Sequence, residues 1–489
     1  MRPHRNQECD TVTAKSEKGQ AGSATRISRR KLLMGGGAAL VATAAGGYGA
    51  LSIPKSASRA DIEASLADNF RDVPFWWDEL GVAPPPQAEL IDNVDFLVVG
   101  AGFSGLTAAR TLAQHGGKVM IVDAEKPFFG ASSRNCGFFG QAFENGGDRS
   151  TPQHAAYFDE YLASNLFLEQ LIKEDGINAV VRHGRFRAAS HKAHFEKMVA
   201  DAKATKASYD YRYEVVAPGQ ERKYFNSPTA VHGGIFLPDS PYLQPARLAH
   251  GNYLAAVRKG AHFVGKTRVT DIEKQADGRY LVSTNRGMVH AKQVLVAVGG
   301  YGAPGFSALG DVLPVKSYLI ATQKLTKEQM QSVWERPLSL HNSKTNFNIV
   351  IPTPDETQLL INGRTGVRYA SHEAMAVDLC RVAMELLPQL GKIRATHVWE
   401  GTFGMTYDGR KHIFRDDEGV YYLSGDNGSG IGKMHWCGNK VALKMMGLPG
   451  ADTVFAIEGP PPNFPGYVSG SDWFVPGAVA YYDMKDRIM

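Results

Sequence analysis

The feature that most limits how this chain can fold is a glycine-rich turn between a buried strand and a helix. The turn is Gly100-Ala101-Gly102-Phe103-Ser104-Gly105, and it follows the apolar run Phe96 to Val99. A second apolar run, Val119 to Val122, ends at Asp123, about 20 residues beyond the turn. The glycine pattern alone is weak evidence. With strand, helix and second strand in this order, it predicts a dinucleotide-binding unit.

Each glycine of the turn has a physical reason. Gly100 permits the tight turn, Gly102 lets a pyrophosphate come close to the backbone, and Gly105 lets helix and strand pack closely. The helix that starts here offers free N–H groups and a partial positive charge to the phosphates. Asp123 is predicted to accept hydrogen bonds from an adenosine ribose. A glycine-rich turn in an unrelated α/β domain is the alternative interpretation.

The formal net charge of +5 comes from the N-terminal part of the chain. Residues 1–60 contain ten Lys or Arg and three Asp or Glu, whereas the remaining residues carry 44 basic and 46 acidic side chains. A nucleic-acid-binding surface needs basic residues that cluster on a folded face. The sequence therefore predicts no nucleic-acid partner.

Residues 1–60 have the pattern of a leader. Arg29-Arg30 precede a Gly/Ala-rich apolar stretch, Met34 to Ile53, which is the order of a twin-arginine export signal. The run Ser58-Arg59-Ala60 offers the small residues of a cleavage site, so the mature chain is predicted to begin directly after it. We expect a periplasmic protein that is exported by the twin-arginine machinery. An uncleaved membrane anchor is the alternative, because the apolar stretch is about long enough to span a bilayer.

The four cysteines form neither a disulfide framework nor a metal site. They are Cys9, Cys136, Cys380 and Cys437, and no two of them form a C-x-x-C pair. Cys9 also lies in the leader. Because the other thiols are so widely spaced, we expect no metal ion in this protein.

Two further glycine-rich segments lie far apart in the chain. Gly130 to Gly137 reads Gly-Ala-Ser-Ser-Arg-Asn-Cys-Gly and follows the second strand closely, and Gly425 to Gly432 follows a late strand. Together with the run Tyr242 to Leu248 between them, they resemble the FAD-dependent D-amino-acid-oxidase superfamily, in particular the branch that contains gamma-glutamylputrescine oxidoreductase. The resemblance extends from about Pro74 to Gly447. It is specific for the superfamily but not for a substrate.

The resemblance implies that the bound dinucleotide is FAD. In this family Arg134 and Asn135 would lie beside the flavin and its phosphates, the strand Thr267 to Val269 would meet the adenine, and the late loop would line the isoalloxazine ring. The residues predicted to contact FAD are Gly100, Gly102, Phe103, Ser104, Gly105, Asp123, Ala124, Ser132, Ser133, Arg134, Asn135, Val269, Gly299, Gly425, Asn427, Gly428, Ser429, Gly430 and Ile431. A nicotinamide-dependent dehydrogenase is an alternative, but it leaves the late glycine-rich loop unexplained.

Two positions depart from the pattern of the branch. Cys136 stands where the branch has glycine, and Ser429 stands where it often has histidine. A cysteine beside a flavin is a potential point of covalent attachment. A small buried thiol is the simpler interpretation.

The candidate catalytic residues are Tyr318, Arg364 and Trp399. Arg364 follows a predicted strand and could hold a substrate carboxylate in bidentate fashion, with a salt bridge as an equal alternative. Tyr318, Trp399 and Phe403 could wall an apolar pocket, although core packing explains each of them singly. His412 is interpreted as structural. The resemblance implies that a neutral amine transfers a hydride to flavin N5, so that the protein supplies orientation and a dry site and not a strong base.

These observations predict an α/β fold in two parts. A discontinuous Rossmann-type FAD-binding domain is expected over residues 93–150, 240–310 and 396–447, and a substrate domain with a mixed or antiparallel sheet over 151–239 and 311–395. Residues 61–92 are interpreted as an entry segment and residues 448–489 as a C-terminal tail.

The predicted function is FAD-dependent oxidation of the carbon–nitrogen bond of a small amine or amino acid. The electron acceptor is left open between O2, a quinone and a cytochrome. A flavin-bearing envelope protein without catalytic activity is the second alternative. Reduction of the flavin by an amine would exclude it.

Overall fold

The computed structural model describes residues 54–140, 151–302, 305–310, 312–462 and 474–488. All of them belong to one compact unit, Ala44–Met489. The twin-arginine pair Arg29-Arg30 and the apolar stretch Met34–Ile53 lie outside the described residues, so the export signal stays a prediction.

Strands and α-helices are interspersed along the described chain. The strands are β1 (Leu66–Arg71), β2 (Asn93–Val99), β3 (Val119–Val122), β4 (Arg182–Ala188), β5 (Glu214–Val216), β6 (Gly234–Tyr242), β7 (His262–Val264), β8 (Val269–Lys274), β9 (Tyr280–Thr284), β10 (Gly287–Val296), β11 (Leu313–Thr322), β12 (Ser339–Asn342), β13 (Ile349–Pro352), β14 (Leu359–Gly363), β15 (Ala395–Met405), β16 (His412–Arg415) and β17 (Tyr421–Ser424). The α-helices are α1 (Arg59–Ser65), α2 (Phe75–Leu80), α3 (Phe103–Gln114), α4 (Pro152–Glu174), α5 (Lys192–Ser208), α6 (Pro245–Arg258), α7 (Lys327–Val333), α8 (His372–Leu386), α9 (Ile431–Met446) and α10 (Val475–Ile488). Short 3₁₀ helices are Ala131–Ser133, Glu221–Lys223, Gly299–Tyr301, Ser307–Leu309 and Pro388–Leu390.

The first sheet is built around parallel strands. Within the described residues it has eight strands, in the order β16-β17-β10-β2-β3-β7, with β9 and β8 attached to β10 as an antiparallel ribbon. Along the row β17, β10, β2, β3 and β7 every pairing is parallel. All residues of β3, Val-Met-Ile-Val, are buried, as expected for a parallel strand that is covered on both faces.

Different layers cover the two faces of this parallel sheet. On one face lie α3, α6 and α9, where Leu106, Leu248 and Val441 are fully buried. On the other face, Leu97 of β2 packs with Val282 of the β8–β9 ribbon. The strand–turn–helix–strand unit predicted from the sequence is therefore the centre of a layered Rossmann-type sheet.

The second sheet is mixed. Its order is β1-β15-β11-β14-β13-β12-β4-β6-β5, and among these nine described strands only β1–β15 and β12–β4 pair in parallel. One face packs against α7 and α8 around Ile320 and Leu379, and we call it the α8 face. The other, which we call the α2 face, carries Leu319 and Trp399 against α2 and α6. Because α6 also packs on the parallel sheet, the α2 face is turned toward that sheet.

The predicted α/β fold with a parallel and a mixed sheet is confirmed. The sheets do not follow the predicted domain segments everywhere. β15, placed in the predicted FAD segment 396–447, belongs to the mixed sheet, and so does β1 from the predicted entry segment 61–92. An apolar run predicts a strand but not the sheet that it joins. The domain boundaries themselves stay a prediction.

Both ends of the described chain are built into the fold. Ser58 caps α1, so the predicted cleavage after Ala60 falls inside the first turn of a helix. Lys55 forms an ion pair with Asp378 at 2.9 Å. In the predicted tail, α10 packs Val475 against β11. None of the described helices combines the length and the apolar character that a membrane crossing needs.

Candidate functional site

The carboxyl ends of the parallel strands form one continuous edge, which we call the carboxyl edge. In the order β7, β3, β2, β10 and β17, the strands end at Val264, Val122, Val99, Val296 and Ser424. Ligands of open α/β sheets bind outside the carboxyl ends of the strands. Five strands spaced by about 4.8 Å give an edge roughly 20 Å long, which is enough for a dinucleotide to lie along it.

The first glycine-rich turn lies at the middle of this edge, after β2. Gly100 has φ 108°, and a Cβ there would approach the Ala297 carbonyl oxygen to 2.5 Å. A Cβ on Gly105 would lie 1.9 Å from the Gly100 carbonyl oxygen. Both positions therefore require glycine, Gly100 to pack against the end of β10 and Gly105 to bring α3 onto β2.

α3 begins directly after this turn, with Gly102 as its N-cap. The Phe103 N–H donates to Ser132 Oγ at 2.9 Å, so the second glycine-rich segment meets the start of the helix. A Cβ on Gly102 would lie 3.1 Å from the same oxygen. The N–H groups of Ser104 and Gly105 have no intrahelical acceptor, and with the helix dipole they supply the donors that a pyrophosphate needs.

The end of the edge where the sequence predicts the adenosine is organised by Asp123-Ala124, which follow β3. The Asp123 carboxylate accepts from the Ala101 N–H at 2.7 Å and from the Glu125 N–H at 2.8 Å. Burial raises the pKa of Asp123, and these two N–H groups partly offset the effect. The Thr267 N–H donates to the Asp123 carbonyl at 2.7 Å, which brings the start of β8, at Val269, to this end of the edge.

Side chains of the segment Gly130–Gly137 hold the segment in shape. Ser133 Oγ donates to the Phe128 carbonyl at 2.6 Å and accepts from Trp77 Nε1 at 2.8 Å. The amide of Asn135 forms hydrogen bonds within the segment through both of its polar atoms. These two residues therefore act on the shape of the segment that meets α3.

Arg134 joins this segment to the mixed sheet. It donates to the Phe129 carbonyl at 2.8 Å and to the Glu400 carbonyl of β15 at 2.9 Å. Its guanidinium lies 4.4 Å from the ring centre of Phe129 and 4.6 Å from that of Trp77. Burial lowers the pKa of Arg134. Trp399 Nε1 donates to the Arg134 carbonyl at 2.9 Å, so the two sheets are connected at this point.

The end of the edge where the sequence predicts the isoalloxazine ring, which we call the flavin end, combines the loop after β17 with the end of β15. Asp426 accepts hydrogen bonds from the Gly404 N–H at 3.0 Å and from the Gly428 N–H at 2.9 Å. Burial raises the pKa of Asp426, an effect that these N–H groups and the nearby Lys411 reduce. A Cβ on Gly299, which has φ 57°, would lie 4.0 Å from Asp426. The predicted loop residues Gly299 and Gly428 thus do gather around one partly buried carboxylate.

Asn427 connects the same two loops. Its N–H donates to the Gly404 carbonyl at 2.9 Å, and its Oδ1 accepts from the Thr406 N–H at 2.9 Å. Its Nδ2 donates to the carbonyls of Arg410 and Gly425, at 3.0 and 2.7 Å. The side chain therefore holds the loop together, and any contact of Asn427 with FAD falls to its backbone.

α9 begins where this loop ends, with Gly430 as its N-cap. Its first-turn N–H groups, including that of Ile431, have no intrahelical acceptor and lie at the positive end of the helix dipole. Lys433, 2% exposed, lies in the same turn and donates to Ser429 Oγ at 3.3 Å. A buried cation and a helix N-terminus together favour the negative charge that a flavin gains on reduction.

A buried acceptor lies between α3 and α9. The ring of His435 is 4.5 Å from the ring of Phe103, and its Nδ1 is 2.5 Å from the Ile431 carbonyl oxygen. Nδ1 therefore carries the proton, and Nε2 has no partner among the described residues. Burial lowers the pKa of His435 to about 4, so the ring is neutral at pH 7. A buried acceptor beside two helix N-termini fits a cofactor with hydroxyl groups and phosphates, as FAD has.

Comparison with known families agrees with this geometry. A family model described as FAD dependent oxidoreductase (DAO) matches residues 95–443. The chain belongs to this family. As a member of the DAO family it is an FAD-dependent oxidoreductase, which removes the alternative of a nicotinamide-dependent dehydrogenase.

Similar proteins cover most of the chain. Gamma-glutamylputrescine oxidoreductase of Escherichia coli (strain K12) is 26% identical over 415 residues, which are 81% of this chain and 93% of that protein. Glycine oxidase from Geobacillus kaustophilus has a TM-score of 0.63 at 20% identity, covering 74% of this chain and 96% of that structure. Iminodiacetate oxidase from Chelativorans sp. BNC1 has a TM-score of 0.61 at 18% identity, with coverages of 75% and 100%. The two solved structures show a shared fold.

The structure does not bring the candidate catalytic residues into one pocket. In the pairing of β11 with β15, Leu319 lies opposite Trp399 and Tyr318 lies opposite Glu400. Side chains alternate along a strand, so Tyr318 and Trp399 lie on opposite faces of the mixed sheet. Trp399 is buried on the α2 face, and the Tyr318 hydroxyl donates to the Val367 carbonyl on the α8 face. The expected common wall was wrong, because the spacing along each strand does not reveal the register between strands.

Arg364 has a carboxylate partner within the protein. It has φ 57°, and its Nε lies 3.4 Å from Asp378 of α8. The same carboxylate accepts from the Tyr369 hydroxyl at 2.8 Å and from Lys55 at 2.9 Å. The rings of Tyr369 and Tyr318 are 5.1 Å apart. The salt-bridge alternative describes this cluster, and a role of Arg364 in the reaction stays a prediction.

Three other side chains that the sequence singled out have identifiable surroundings. The ring of Phe403 would lie 3.5 Å from a Cβ on Gly428, beside the flavin-end loop. Burial raises the pKa of Cys136 to about 12, which keeps its thiol protonated and agrees with the simpler interpretation of this residue. His412 is buried, and its Nε2 lies 3.0 Å from Asp408.

Sequence reasoning missed three buried polar side chains near these elements: Arg185, Lys433 and His435, each at most 3% exposed. For Lys433 and His435 the signal was a charged or polar residue on the buried, apolar side of α9, whereas β4, with the sequence Arg-His-Gly-Arg-Phe-Arg-Ala, gave no such signal for Arg185. Such a residue is rarely buried unless a partner or a ligand compensates it.

Proposed function

We propose that the chain oxidises the carbon–nitrogen bond of a small amine or amino acid, with FAD as the immediate electron acceptor. The observation that carries the proposal is the junction at Gly404, whose N–H donates to Asp426 and whose carbonyl accepts from Asn427. This junction holds the end of β15, and with it the mixed sheet, against the flavin end of the carboxyl edge. A substrate on the α2 face would then meet the flavin between the two sheets, a usual place for a pocket.

The names of the similar proteins also support the oxidation of a carbon–nitrogen bond. Gamma-glutamylputrescine oxidoreductase, glycine oxidase and iminodiacetate oxidase are each named for a substrate that contains an amine nitrogen. For the first of them the similarity extends over 81% of this chain. It therefore includes both the carboxyl edge and the mixed sheet.

In this proposal the protein supplies orientation, a dry site and a field. Bound FAD supplies the two-electron acceptor at its N5 position. Trp76 and Trp399, 3% and 1% exposed, make the α2 face apolar and exclude water from it. The first-turn N–H groups of α9, with Lys433 beside them, favour the negative charge that arrives with the electrons.

Anaerobic mixing with a panel of amines, amino acids and their hydroxy analogues tests the proposal. We expect at least one amine or amino acid to bleach the flavin absorption, while its hydroxy analogue does not. Deuterium on the α-carbon should slow the bleaching, and the rate should rise with pH as the amine loses its proton. Bleaching by 2-hydroxy acids but by no amine would overturn the carbon–nitrogen assignment. Adding O2, a quinone or a cytochrome to the reduced protein then identifies the electron acceptor.

We further propose export of the folded protein to the periplasm through the twin-arginine route. The support is the order of Arg29-Arg30 and the apolar stretch Met34–Ile53. Because Lys55 pairs with Asp378, and because Ser58 caps α1 and Arg59-Ala60 lie in its first turn, we expect any cleavage to fall before Lys55 and not after Ala60. An uncleaved anchor is the alternative outcome.

Changing both Arg29 and Arg30 to Lys tests the route. The double variant should stay in the cytoplasm, folded and yellow, while the unchanged chain reaches the periplasm. N-terminal sequencing of the exported protein locates the cleavage. Periplasmic delivery of the double variant at the normal level would overturn the twin-arginine assignment.

A further inference from the structure

A buried arginine on the mixed sheet has no carboxylate partner among the described residues. Arg185 lies in β4 and is 3% exposed. Its neighbour Phe186 points into the core on the α8 face, so Arg185 points to the other side of the sheet. There its Nη2 donates to the Pro241 carbonyl at 3.2 Å and to the Phe139 carbonyl at 3.5 Å, and its guanidinium lies 4.2 Å from the ring centre of Phe138.

These contacts leave the charge of Arg185 poorly compensated. Both carbonyl oxygens accept from one nitrogen, and Nε has no hydrogen-bond partner among the described residues. Burial lowers the pKa of Arg185 to about 10, with the charge of Arg187 adding to the effect, so the guanidinium is still charged at pH 7. A buried charge is strongly unfavourable unless a partner neutralises it.

In the described part of the chain, the side chains nearest to Arg185 add positive charge or none. Arg187 lies two residues further along β4 and on the same face, and burial lowers its pKa. His341 pairs with Arg187 across β12, and burial lowers its pKa to about 3, so it is neutral. Asp201, whose charge acts on Arg187, is already paired with Lys197 at 2.6 Å. The surroundings of Arg185 therefore suit an anion.

Arg185 is connected to the flavin end of the carboxyl edge. Phe139, which accepts from Arg185, precedes Gly140, and the Gly140 carbonyl accepts from the Tyr161 hydroxyl at 2.5 Å. The ring centre of Tyr161 lies 4.4 Å from Lys433 Nζ, in the first turn of α9. The guanidinium thus lies on the side of the mixed sheet that faces the helix N-terminus assigned to the flavin.

We propose that Arg185 binds a carboxylate of the substrate, so that the substrate is an amino acid and not an alkyl amine or a polyamine. This inference rests on the amine oxidation proposed above. A carboxylate would accept charge-assisted hydrogen bonds from the guanidinium, including one from the unpaired Nε, and would neutralise the buried charge. It would also hold the amine carbon at a fixed place between the two sheets. Arg364 is not needed for this role, because Asp378 already compensates it on the α8 face.

A purely structural Arg185 makes the opposite prediction for stability. If it serves only to hold the carbonyls of Phe139 and Pro241, Arg185→Met should lower the Tm clearly. If it is retained for the substrate, the same change removes an uncompensated buried charge and keeps most of the side-chain volume. The Tm should then stay unchanged or rise, while carboxylate binding is lost.

The experiment compares Arg185→Met and Arg185→Lys with the control Arg212→Met, which removes an exposed arginine that pairs with Asp239. The FAD-loaded proteins are titrated with propionate, which has a carboxylate but no amine. Binding is followed by the flavin absorption spectrum and by the Tm. We expect roughly 10- to 100-fold weaker binding for Arg185→Met, an intermediate loss for Arg185→Lys and no change for the control.

A matched pair of substrates separates this inference from the broader proposal. The pair is the amino acid that bleaches the flavin best and its decarboxylated amine, for example alanine and ethylamine. Arg185→Met should weaken the binding of the amino acid and leave the binding of the amine unaffected. If the variant loses stability and binds both substrates more weakly to the same extent, Arg185 is structural. The same conclusion follows if propionate binds to the variant normally. In either case the inference falls while amine oxidation stands. If no amine bleaches the flavin but propionate binding still depends on Arg185, the anion site stands and amine oxidation falls.

Discussion

The carboxyl edge of the parallel sheet and the α2 face of the mixed sheet meet at the flavin end, but they are built in different ways. At the edge, the contacts come from backbone groups close in sequence to a glycine-rich turn, as at Phe103 and Asp123. On the α2 face, side chains as distant as Arg185, Leu319 and Trp399 share one surface through strand register alone. The first arrangement suits a cofactor common to the family, and the second can change with the substrate.

The two regions also differ in how they compensate buried charge. At the edge, the carboxylates of Asp123 and Asp426 each accept two backbone N–H groups. On the α2 face, the guanidinium of Arg185 meets carbonyl oxygens and an aromatic ring. The protein thus compensates these two carboxylates with its own backbone, whereas Arg185 on the α2 face depends on an incoming anion.

The largest expected effect separates the two functions of the first glycine-rich turn, which are the packing of α3 on β2 and the binding of the FAD phosphates. In Gly105→Ala the new Cβ would lie 1.9 Å from the Gly100 carbonyl oxygen. Backbone must move, so we expect a loss of roughly 3 kcal/mol or more and poor recovery of folded protein. In Gly102→Ala the Cβ meets only the Ser132 hydroxyl, at 3.1 Å, so the fold should survive and the loss should be in FAD affinity. Urea unfolding and the ratio of flavin to protein measure the two effects. Full flavin content in Gly102→Ala would show that the phosphates do not approach this turn.

The second prediction breaks the connection between the two regions. Asn427→Ala removes the amide that bonds Thr406, Arg410 and Gly425, at a residue with φ 51°. We expect a loss of about 2–3 kcal/mol, together with weaker FAD binding. Asn427→Gly is the matched control, because it relieves the backbone strain but not the missing hydrogen bonds. If both variants are as stable as the unchanged protein, the junction at Gly404 does not depend on this side chain.

How much of the site the sequence predicts follows from the same difference. The strand–turn–helix unit and the glycine requirement at Gly100 and Gly105 are encoded within one short segment, whereas the use of FAD followed from the family resemblance of several segments between Pro74 and Gly447. The gathering of Gly299 and Gly428 around Asp426 follows from the family's segment order once the strands are known to be parallel. Backbone groups beside a turn make local contacts, and local contacts can be predicted from the sequence pattern.

The substrate-binding residues of the mixed sheet could not be predicted from the sequence in the same way. Tyr318 and Trp399 both looked like pocket residues, but a register that pairs Leu319 with Trp399 sends Tyr318 to the opposite face. Arg364 and Arg185 are equally suitable cations in the sequence. Only the fold shows that Arg364 has Asp378 beside it and that Arg185 has no carboxylate among the described residues. Burial and partner choice are non-local, which is why they required the three-dimensional structure.

A smaller effect is expected where the chain leaves the mixed sheet for the parallel one. Burial raises the pKa of Asp408, but the hydrogen bond and charge of His412 and the Arg410 N–H outweigh it and hold the pKa at about 2. A depressed carboxyl pKa stabilises the fold above the ordinary value of 3.8, and the contribution is lost as the pH falls toward 2. Because the side chain is 32% exposed, we expect only about 1–2 kcal/mol at pH 7.

Asp408→Asn measures that contribution. The difference in unfolding free energy between the unchanged protein and the variant should shrink as the pH falls from about 4 to 2. Chemical denaturation at several pH values gives the curve. A difference that does not vary with pH would mean that the carboxylate of Asp408 is not stabilised by His412.

The smallest effect is expected for Arg364→Met, which tests on which face of the mixed sheet the substrate is recognised. Its Nε lies 3.4 Å from Asp378, and that carboxylate keeps Lys55 and the Tyr369 hydroxyl as partners when Arg364 is removed. Partly exposed ion pairs contribute little, so we expect a loss of at most about 1 kcal/mol. Amino-acid binding, measured by anaerobic flavin reduction, should be unchanged, in contrast to Arg185→Met. The reverse result, with binding lost in Arg364→Met and kept in Arg185→Met, would move the substrate carboxylate to the α8 face. The cations of the two faces would then exchange roles, with Arg185 as the structural residue and Asp378 displaced by the substrate.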